Sequence, residues 1–505
     1  MSSKIHAILT IDIGLTNCKV SLFDLAGRLL GQVGSRYPTI NPKPNWSEQR
    51  PGDWWKTIKK CNRALAAQPA WASVDILAIS LTAHMHGMVA VDQERKPLTN
   101  CWTLFDRRAE QDVHDLNIEL GERTAYRITG GRLEAYTPAA KIYWLRRNQP
   151  ELFARTACFL SPKDYLRQML GGEQVTDPVD AAGTLLYDLR RQCWSNILLE
   201  AVGVDARRLP EVRPASMVAG KLGVQAARQL NLKSGIPLLT GAGDDVEALG
   251  AGVIRPGQVL EHIGTTGTLI ACTDRYVDDE QQAVEIYPHV VPGLYLVGGA
   301  TNAAGRSLDW LRRVIDSDRK NADLLISGNS GQDEFPSPVF LPFILGERGL
   351  LWDGQATGMF LGLRENQSKA ELARAVYEGV AFSLREILEA VRGMGLEVDQ
   401  LVSGSSPKNE AWSRLRANIY GMAIHYPSQT DLTGLGAAML ALLGLGVYPD
   451  FASVARTCGS PGSRIDPDPL QAERYNYQWE RYLTALRLGK QIFPLFYRSN
   501  TALQD

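Results

Sequence analysis

The chain has 505 residues, of which 45% are hydrophobic and 22% are charged, so it can bury a large core and is not a disordered protein. This length predicts a protein of several domains, and large α/β domains favour two. The formal net charge is −1 and there is no basic block, which gives no electrostatic argument for nucleic acid or a membrane as partner.

The seven cysteines are scattered without Cys-x-x-Cys spacing, which is typical of a reducing compartment and of neither a disulfide framework nor a zinc site. Residues 1–6 lack the apolar segment of a signal peptide, so we expect a cytoplasmic protein. The most apolar run, 435–447, is too short to span a bilayer and predicts a buried helix. The oligomeric state stays open, with a homodimer as one possibility.

The chain opens with a predicted hairpin, in which a strand over 7–13 turns at residues 14–17 into a strand over 19–24. We call residues 14–17 the first glycine turn. Asp12 comes just before this turn, at the end of a buried strand. A carboxylate there is well placed to hold Mg²⁺, directly or through water, because Mg²⁺ takes few protein carboxylates. The alternative is an aspartate that caps the turn.

A helix over 52–67 and strands over 76–81 and 88–92 follow, with a turn between the strands that reads His84-Met85-His86. Histidines two residues apart face the same side of an extended chain, so they could bind a metal. No further ligand lies at suitable spacing, which favours a sugar-binding turn over a metal site. Further on, Asp106 and Arg108 offer charged hydrogen-bond partners for a polyol; a surface ion pair is the alternative.

The middle of the chain, IPLLTGAGDDVEALGAGVIRPGQVLEHIGTTGTLIAC at 236–272, carries the clearest chemistry. A short strand ends in a glycine-bounded corner, where Asp244 and Asp245 stand at the start of a helix. Asp244 is the candidate general base. A strand then enters residues 264–267, the second glycine turn, and another strand leaves it. A base together with backbone N–H groups around phosphates is what a phosphoryl transferase needs.

The two glycine turns resemble each other, since each joins two strands and they lie half a chain apart. We therefore predict two topologically related halves, 1–253 and 254–505, each donating one loop to a shared cleft; chance similarity of two hairpins is the alternative. Helices predicted over 139–148, 162–170, 305–315, 369–391 and 409–419 alternate with strands. This alternation predicts a mainly parallel or mixed sheet covered on both faces.

Two longer segments resemble the FGGY family of carbohydrate kinases. YTPAAKIYWLRRN at 136–148 matches the first family signature, and GMFLGL at 358–363, with EL at 371–372 and AVYE at 375–378, matches the second. WSEQRPGDWW at 46–55, PKDYL at 162–166, DAAGT at 180–184 and GER at 346–348 support the match, which covers nearly the whole chain.

This resemblance implies ribonuclease-H-like domains of the actin and hexokinase type in both halves, with ATP and sugar meeting in the cleft between them. It implies ATP-dependent phosphorylation of a sugar hydroxyl with Mg²⁺, D-xylulose to D-xylulose 5-phosphate being the first expectation. The candidate site then comprises Asp244 as base; Met85, His86, His84, Asp106, Arg108 and Asp245 around the sugar; Gly14, Thr16, Asn17, Lys19, Gly264, Thr265, Thr266, Gly267, Gly404, Ser405 and Asn409 around ATP; and Asp12 for the metal.

Several positions depart from the family pattern beside the expected ligands. Leu15 stands where many relatives have Thr, His84 replaces a Gln and Asp245 an Asn, and Ser405 and Ser406 replace glycines. L-xylulose, ribulose, gluconate and glycerol therefore stay open as substrates. A non-catalytic actin-like nucleotide-binding protein is the alternative from another class, since it would need neither Asp244 nor the His-Met-His turn. A nicotinamide dehydrogenase is disfavoured because no Gly-x-Gly-x-x-Gly follows the first strand.

Overall fold

The computed structural model describes residues 4–315, 325–326, 338–405, 409–459 and 462–496; Ser406 lies outside the described residues. Two seven-stranded sheets form the framework. The first sheet takes its strands from residues before 244, and the second takes them from residues after 256. The mixed α/β fold with a sheet in each half is thus confirmed.

The first sheet is built around the opening hairpin. Its strands, from one edge to the other, are Val218–Lys221, Pro237–Leu239, Val74–Ala83, Ile5–Ile13, Asn17–Asp24 and Leu29–Arg36, and Ala242–Gly243 pairs with Val74–Ala83 as well. Ile5–Ile13 pairs antiparallel with the next strand and parallel with Val74–Ala83. Residues 7–13 are buried without alternation, as expected of a strand covered on both faces.

The second sheet repeats this order when its strands are read from the opposite edge. Its strands are Glu285–Pro288, Tyr295–Thr301, Gly267–Thr273, Gly257–Ile263, Val398–Ser403, Ile424–Tyr426 and Ser463–Ile465. Gly257–Ile263 pairs antiparallel with Gly267–Thr273 and parallel with Val398–Ser403. In both sheets a hairpin that encloses a glycine turn is therefore extended by a parallel strand, so the two halves are topologically related.

Helices cover both sheets. Those before residue 251 are Pro51–Ala66, Glu110–Leu120, Glu122–Thr129, Pro138–Asn148, Pro150–Arg155, Pro162–Met169, Pro178–Gly183, Asn196–Val202, Val224–Leu230 and Glu247–Gly250, with 3-10 turns at Pro69–Ser73, Ala206–Arg208 and Asp244–Val246. Those after it include Ala304–Val314, Lys369–Gly393, Glu410–Tyr420, Leu432–Gly444, Phe451–Cys458 and Pro469–Phe496. Five two-stranded ribbons complete the described part: Glu48–Gln49 with Cys101–Trp102, Val89–Val91 with Cys158–Leu160, Val175–Thr176 with Glu211–Val212, Tyr187–Asp188 with Cys193–Trp194, and Val339–Leu341 with Met359–Leu361.

Local sequence explains where the family-signature helices begin. Thr137 caps Pro138–Asn148, with its side chain accepting from the Ala140 N–H and proline at the first helical position. Ser368 and Glu371 form a capping box at the start of Lys369–Gly393. Both ends therefore satisfy backbone N–H groups that a helix leaves without internal partners.

Helix Leu432–Gly444 comes from the second half of the sequence but packs on the first sheet. It is buried over most of its surface, as the apolar run predicted, and it packs on strands Ile5–Ile13 and Val74–Ala83 of the first sheet. The helix thus belongs to the core of the first half, although all strands of the second sheet except Ser463–Ile465 precede it in sequence. In the described part of the chain, no helix is long and apolar enough to cross a membrane.

Candidate active site

A cleft of about 340 Å³ opens between the two sheets, a size that suits a small-molecule ligand. The first glycine turn, the Asp244 corner and the second glycine turn all reach it. Its lining includes these residues from both halves: Asp12, Gly14, Leu15, His84, Met85, His86, Asp244, Asp245, Glu247, His262, Thr266, Thr268, Glu285, Tyr287, Arg348 and Thr433.

The corner that carries Asp244 is fixed by the first sheet. Ala242–Gly243 pairs with residues 82 and 83 of the neighbouring strand, and the 3-10 turn Asp244–Val246 follows directly. A Cβ on Gly243 would lie 2.6 Å from the Met85 Cγ, so only glycine fits there. Met85 therefore packs beneath the corner, and the Asp244 side chain opens into the cleft.

The electrostatics of the cleft make Asp244 hold its proton more strongly than an ordinary aspartate does. The surrounding cleft walls raise the pKa of Asp244 well above its usual value through desolvation, and the charges of Asp245, Asp12 and Asp180 raise it further. Desolvation, and then Glu285 and Glu247, raise the pKa of Asp245 to about 7. A raised pKa suits a group that must accept a proton near neutral pH.

The His-Met-His turn presents His86 to the cleft. His86 has a left-handed backbone, with φ of 60°, and its Nδ1 lies 2.9 Å from the Gly183 carbonyl oxygen. Nδ1 therefore carries the proton, so Nε2 is an acceptor, 3.5 Å from the Tyr287 hydroxyl. Burial lowers the pKa of His86 to about 3, which keeps the ring neutral. His84 lies deeper, edge-on to Trp54, and its buried Nε2 has no partner among the described residues.

Lys141, from the first family signature, supports this turn. Its fully buried Nζ donates to the carbonyl oxygens of His86, Trp102 and Thr103 at 2.7, 3.1 and 2.8 Å. The signature lysine thus fixes the backbone that positions His86.

The structure does not bring Asp106 and Arg108 to the cleft. Arg108 donates to both carboxylate oxygens of Asp106 at 2.8 Å, and its guanidinium lies 3.6 and 3.8 Å from the rings of Trp46 and Trp102. The Ser47 backbone N–H also donates a hydrogen bond to the Asp106 carboxylate. Neither predicted role fits, because the pair is a buried structural ion pair rather than a sugar ligand or a surface pair.

The first glycine turn is closed by a hydrogen bond from the Gly14 N–H to the Asn17 carbonyl oxygen, 3.0 Å. Asp12 reaches the cleft just before it, and Lys19 lies 3.1 Å from Asp12 and 2.8 Å from Asp431. Lys19 is thus held by two carboxylates, one of which caps helix Leu432–Gly444. Thr16 is exposed at the tip of the turn.

The second glycine turn, with Thr265 at its exposed tip, has the same kind of closure: the Gly264 N–H donates to the Thr266 carbonyl oxygen at 2.9 Å, and Gly267 begins the return strand. Ser405 holds the turn from behind, because its Oγ accepts from the Ile263 N–H and donates to the Ile263 carbonyl oxygen. Asn409 caps helix Glu410–Tyr420, and its buried Nδ2 has no partner among the described residues.

Sequence reasoning missed several cleft residues, among them Glu285, Tyr287, Arg348 and His262. Glu285 and Tyr287 lie two apart on an edge strand of the second sheet, and Arg348 is the last residue of the GER motif. Glu285 accepts from the Tyr136 hydroxyl at 3.3 Å. His262 precedes the second glycine turn. The position of His262 beside that turn was a local signal that could have identified it. No motif marked Glu285 and Tyr287. Arg348 was noted only as part of a family match.

A buried ion cluster lies behind the Asp244 corner. Lys163 Nζ is 2.5, 3.2 and 3.4 Å from carboxylate oxygens of Asp164, Asp177 and Asp180. All four side chains are almost completely shielded from solvent. Lys163 also donates to the carbonyl oxygen of Thr240 at 3.3 Å, so the cluster is tied to the strand that leads to Asp244.

Two related α/β halves, a cleft between them, a carboxylate at a strand-to-helix corner and a glycine turn from each half define a two-lobed phosphotransferase. Comparisons with known proteins specify the class. Models of the N-terminal and C-terminal domains of the FGGY family of carbohydrate kinases match residues 7–250 and 261–445. The chain belongs to this family, and it is a carbohydrate kinase; the resemblance read from the signatures is confirmed.

The chain is similar to known kinases over nearly its whole length. It is 29% identical over 489 residues to the xylulose kinase of Escherichia coli strain K12, covering 96% of this chain and 99% of the relative. Gluconokinase of Bacillus subtilis strain 168 is 26% identical, covering 95% and 96%. The ligand-bound xylulose kinase structure from Lactobacillus acidophilus superposes with a TM-score of 0.91 at 25% identity, covering 98% and 100%. Plasmodium falciparum glycerol kinase with ADP, at 22% identity and a TM-score of 0.86, shares the fold.

Proposed function

We propose that this kinase transfers the γ-phosphoryl group of ATP to a hydroxyl of a ketose, with D-xylulose as its substrate and D-xylulose 5-phosphate as product. The observation that carries the proposal is that Asp244 and His86 line one cleft with Gly14 and Thr266 of the two glycine turns. Such a cleft places a base and a sugar ligand beside two phosphate-sized loops, as phosphoryl transfer requires.

In this mechanism Asp244 accepts the proton of the sugar hydroxyl as its oxygen attacks the γ-phosphorus. The new bond is O–P, the bond between the γ-phosphorus and the β–γ bridging oxygen breaks, and ADP leaves with that oxygen. His86 accepts a hydrogen bond from a sugar hydroxyl through Nε2, and Met85 packs on the carbon skeleton. The role of the chain in this step is mainly positioning and charge stabilisation.

Mg²⁺ fits beside Asp12. The described residues contain no cluster of three or more His, Cys, Asp or Glu that could hold a metal ion. A single carboxylate suits Mg²⁺ that is held mainly by ATP phosphates and water, and Asp12 lines the cleft. When bound there, Mg²⁺ would neutralise charge on the phosphates, and Asp12 would hold it directly or through water.

The nucleotide site is proposed on the second half's side of the cleft. Gly14, Thr16 and Asn17 would contact the phosphates from one side and residues 264–267 from the other, with Gly404, Ser405 and Asn409 beside the adenosine. In this arrangement 1–253 and 254–505 are the two lobes, and helix Leu432–Gly444 adds to the core of the first. The cytoplasmic location and the homodimer stay predictions from the sequence.

The acidic lining of the sugar end supports a neutral polyol. Asp245 and Glu285 both face the cleft there, and a carboxylate accepts hydrogen bonds from hydroxyls. Arg348 offsets part of this negative charge near Glu285, and the charge that remains repels the carboxylate of a sugar acid such as gluconate. The similarity to xylulose kinases favours a ketopentose as the substrate among the neutral polyols.

A substrate panel tests the proposal. We expect D-xylulose to give the highest kcat/KM among the four 2-ketopentoses, gluconate, glycerol and a ketohexose, measured by ADP release. His86→Ala should lower kcat/KM for that sugar by roughly 10- to 100-fold, the effect of one strong buried hydrogen bond, and spare slow ATP hydrolysis by water. His114→Ala, at an exposed helix position, is the control. A hexose or glycerol ranking above D-xylulose would refute the sugar assignment and leave the kinase class intact.

The coupling of Asp245 to Asp244 predicts a change in pH dependence. Because the base acts in its ionised form, activity falls as the pH drops through the raised pKa of Asp244. Asp245→Asn removes the charge that raises the pKa of Asp244 most, so the pKa of Asp244 falls. The acidic limb of the kcat/KM profile should therefore move to lower pH. If the variant is folded and the acidic limb of its kcat/KM profile does not move, the two carboxylates are not coupled.

A further inference from the structure

His262 occupies a position in the second hairpin that corresponds to that of Asp12 in the first. Each residue stands two places before the glycine that opens its turn, Gly14 or Gly264, and each is the next-to-last residue of its strand. Each also lines the cleft. The two halves therefore carry an acid and an imidazole at related positions beside their glycine turns.

The His262 ring lies beside the second glycine turn and Gly404, with 47% of its side chain exposed. Its Nδ1 lies 2.9 Å from Glu247 Oε1, on the short helix that follows the Asp244 corner. A Cβ built on Gly264 would lie 3.3 Å from Nε2, and one on Gly404 would lie 3.3 Å from Nδ1. Nε2 has no hydrogen-bond partner among the described residues. The ring is thus oriented by Glu247 with its second nitrogen left free.

The carboxylate keeps this imidazole charged. The charge of Glu247 raises the pKa of His262 to about 9 against the opposing effect of desolvation, and Asp244 and Glu261 add to the increase. Both ring nitrogens then carry protons near neutral pH. Nδ1–H donates to Glu247, so Nε2–H is a charged donor without a partner in the protein.

A polyanion in this cleft needs such a donor. The described charged groups of the lining are the carboxylates of Asp12, Asp244, Asp245, Glu247 and Glu285 against two cations, His262 and Arg348. Arg348 hydrogen-bonds to Tyr136 and lies near Glu285, at the sugar end. Lys19 is already paired with two carboxylates. Of the two cations that line the cleft, His262 is therefore the one beside a glycine turn.

We propose that His262 donates a hydrogen bond from Nε2–H to a phosphate oxygen of the bound nucleotide, with Glu247 as the residue that orients its ring. This inference rests on the proposed use of ATP and adds a binding residue to it. The position next to the second glycine turn, the free Nε2 and the acidic surroundings all support the assignment. A charge-assisted hydrogen bond of this kind is stronger than one between neutral groups.

The test compares nucleotides that differ only in phosphates. His262→Gln keeps a donor for Glu247 but removes the positive charge. We expect the Kd values of ATP and ADP, measured by calorimetry, to rise about 10- to 100-fold, as for one hydrogen bond between charged groups. Adenosine should bind as it does to the wild type, and the KM for the sugar should not change. His262→Lys should recover part of the ATP affinity, and His114→Gln, on an exposed helix surface, should change nothing.

The outcomes separate the two proposals. If the wild-type enzyme releases ADP with sugar but His262→Gln binds ATP as tightly as wild type, this inference is wrong and the proposed function stands. An equal loss for adenosine and ATP would make His262 a structural residue and would also overturn the inference. If wild type uses no nucleotide, the proposed function itself fails. A shift of the His262 imidazole nitrogen resonances with ADP and not with adenosine would support the contact without any variant.

Discussion

Asp244→Asn is expected to lower kcat by roughly 10²–10⁴-fold, the usual contribution of a positioned acid/base group, while ATP still binds. The variant is nearly isosteric, so the corner held by Gly243 and Met85 stays as it is. It removes the more exposed of the two carboxylates at this corner. ATP affinity should hold or rise, because a negative charge near the phosphates is lost.

Single-turnover kinetics with a saturating ketose would measure this effect directly, with ATP affinity measured separately by calorimetry. Asp245→Asn, the same change at the next residue, is the matched control and should keep most of kcat at alkaline pH. Turnover of Asp244→Asn close to that of wild type would remove Asp244 from the mechanism. Loss of both turnover and ATP binding would show that the residue has a structural role instead.

Local patterns predicted the elements that carry the site. The strand over 7–13, the returning strand and the first glycine turn were readable because a buried strand, a glycine and a second apolar strand follow one another. The likeness of residues 14–17 to 264–267 indicated two related halves, and the two sheets show the same order of pairing. The Asp244 corner could be predicted in the same way, because a short strand is followed by glycines and then by an acidic pair.

Contacts between distant segments could not be read from the chain. Lys19 pairs with Asp431, 412 residues away, and no local pattern links the two. The apolar run at 435–447 predicted a buried helix, but not that helix Leu432–Gly444 would pack on the first sheet. Glu285 and Tyr287 reach the cleft through the pairing of an edge strand, which only the folded sheet determines.

Asp106 and Arg108 show a different limit. Their charges suggested an exposed or ligand-binding pair, because such side chains are rarely buried unless paired. Trp46 and Trp102 sandwich the guanidinium, and Asp106 satisfies it on one edge. Tryptophans 56 residues apart come together only in the fold, so the sequence favoured the wrong environment.

The second large prediction concerns Lys163, because its Nζ lies within 3.4 Å of three buried carboxylates. Lys163→Met is expected to lower the free energy of unfolding by about 3–5 kcal/mol, as when one partner of a buried ion pair is removed. The methionine fills similar volume, so the loss measures charge rather than a cavity. Since Lys163 and Arg167 both donate to the Thr240 carbonyl oxygen, the Asp244 corner should loosen and kcat should fall as well.

Denaturant unfolding of Lys163→Met at two pH values, beside Lys56→Met, tests this interpretation. Lys56 pairs with Asp53 on an exposed helix surface, so its loss should matter little. Even with the lysine present, burial raises the pKa of Asp180 to about 7. Without it, the folded state holds its carboxylate protons more tightly than the unfolded state does. Stability then rises as pH falls, so the deficit against wild type should be smaller at pH 6 than at pH 8. An equal deficit at both values would show that the loss comes from packing and not from unpaired charge.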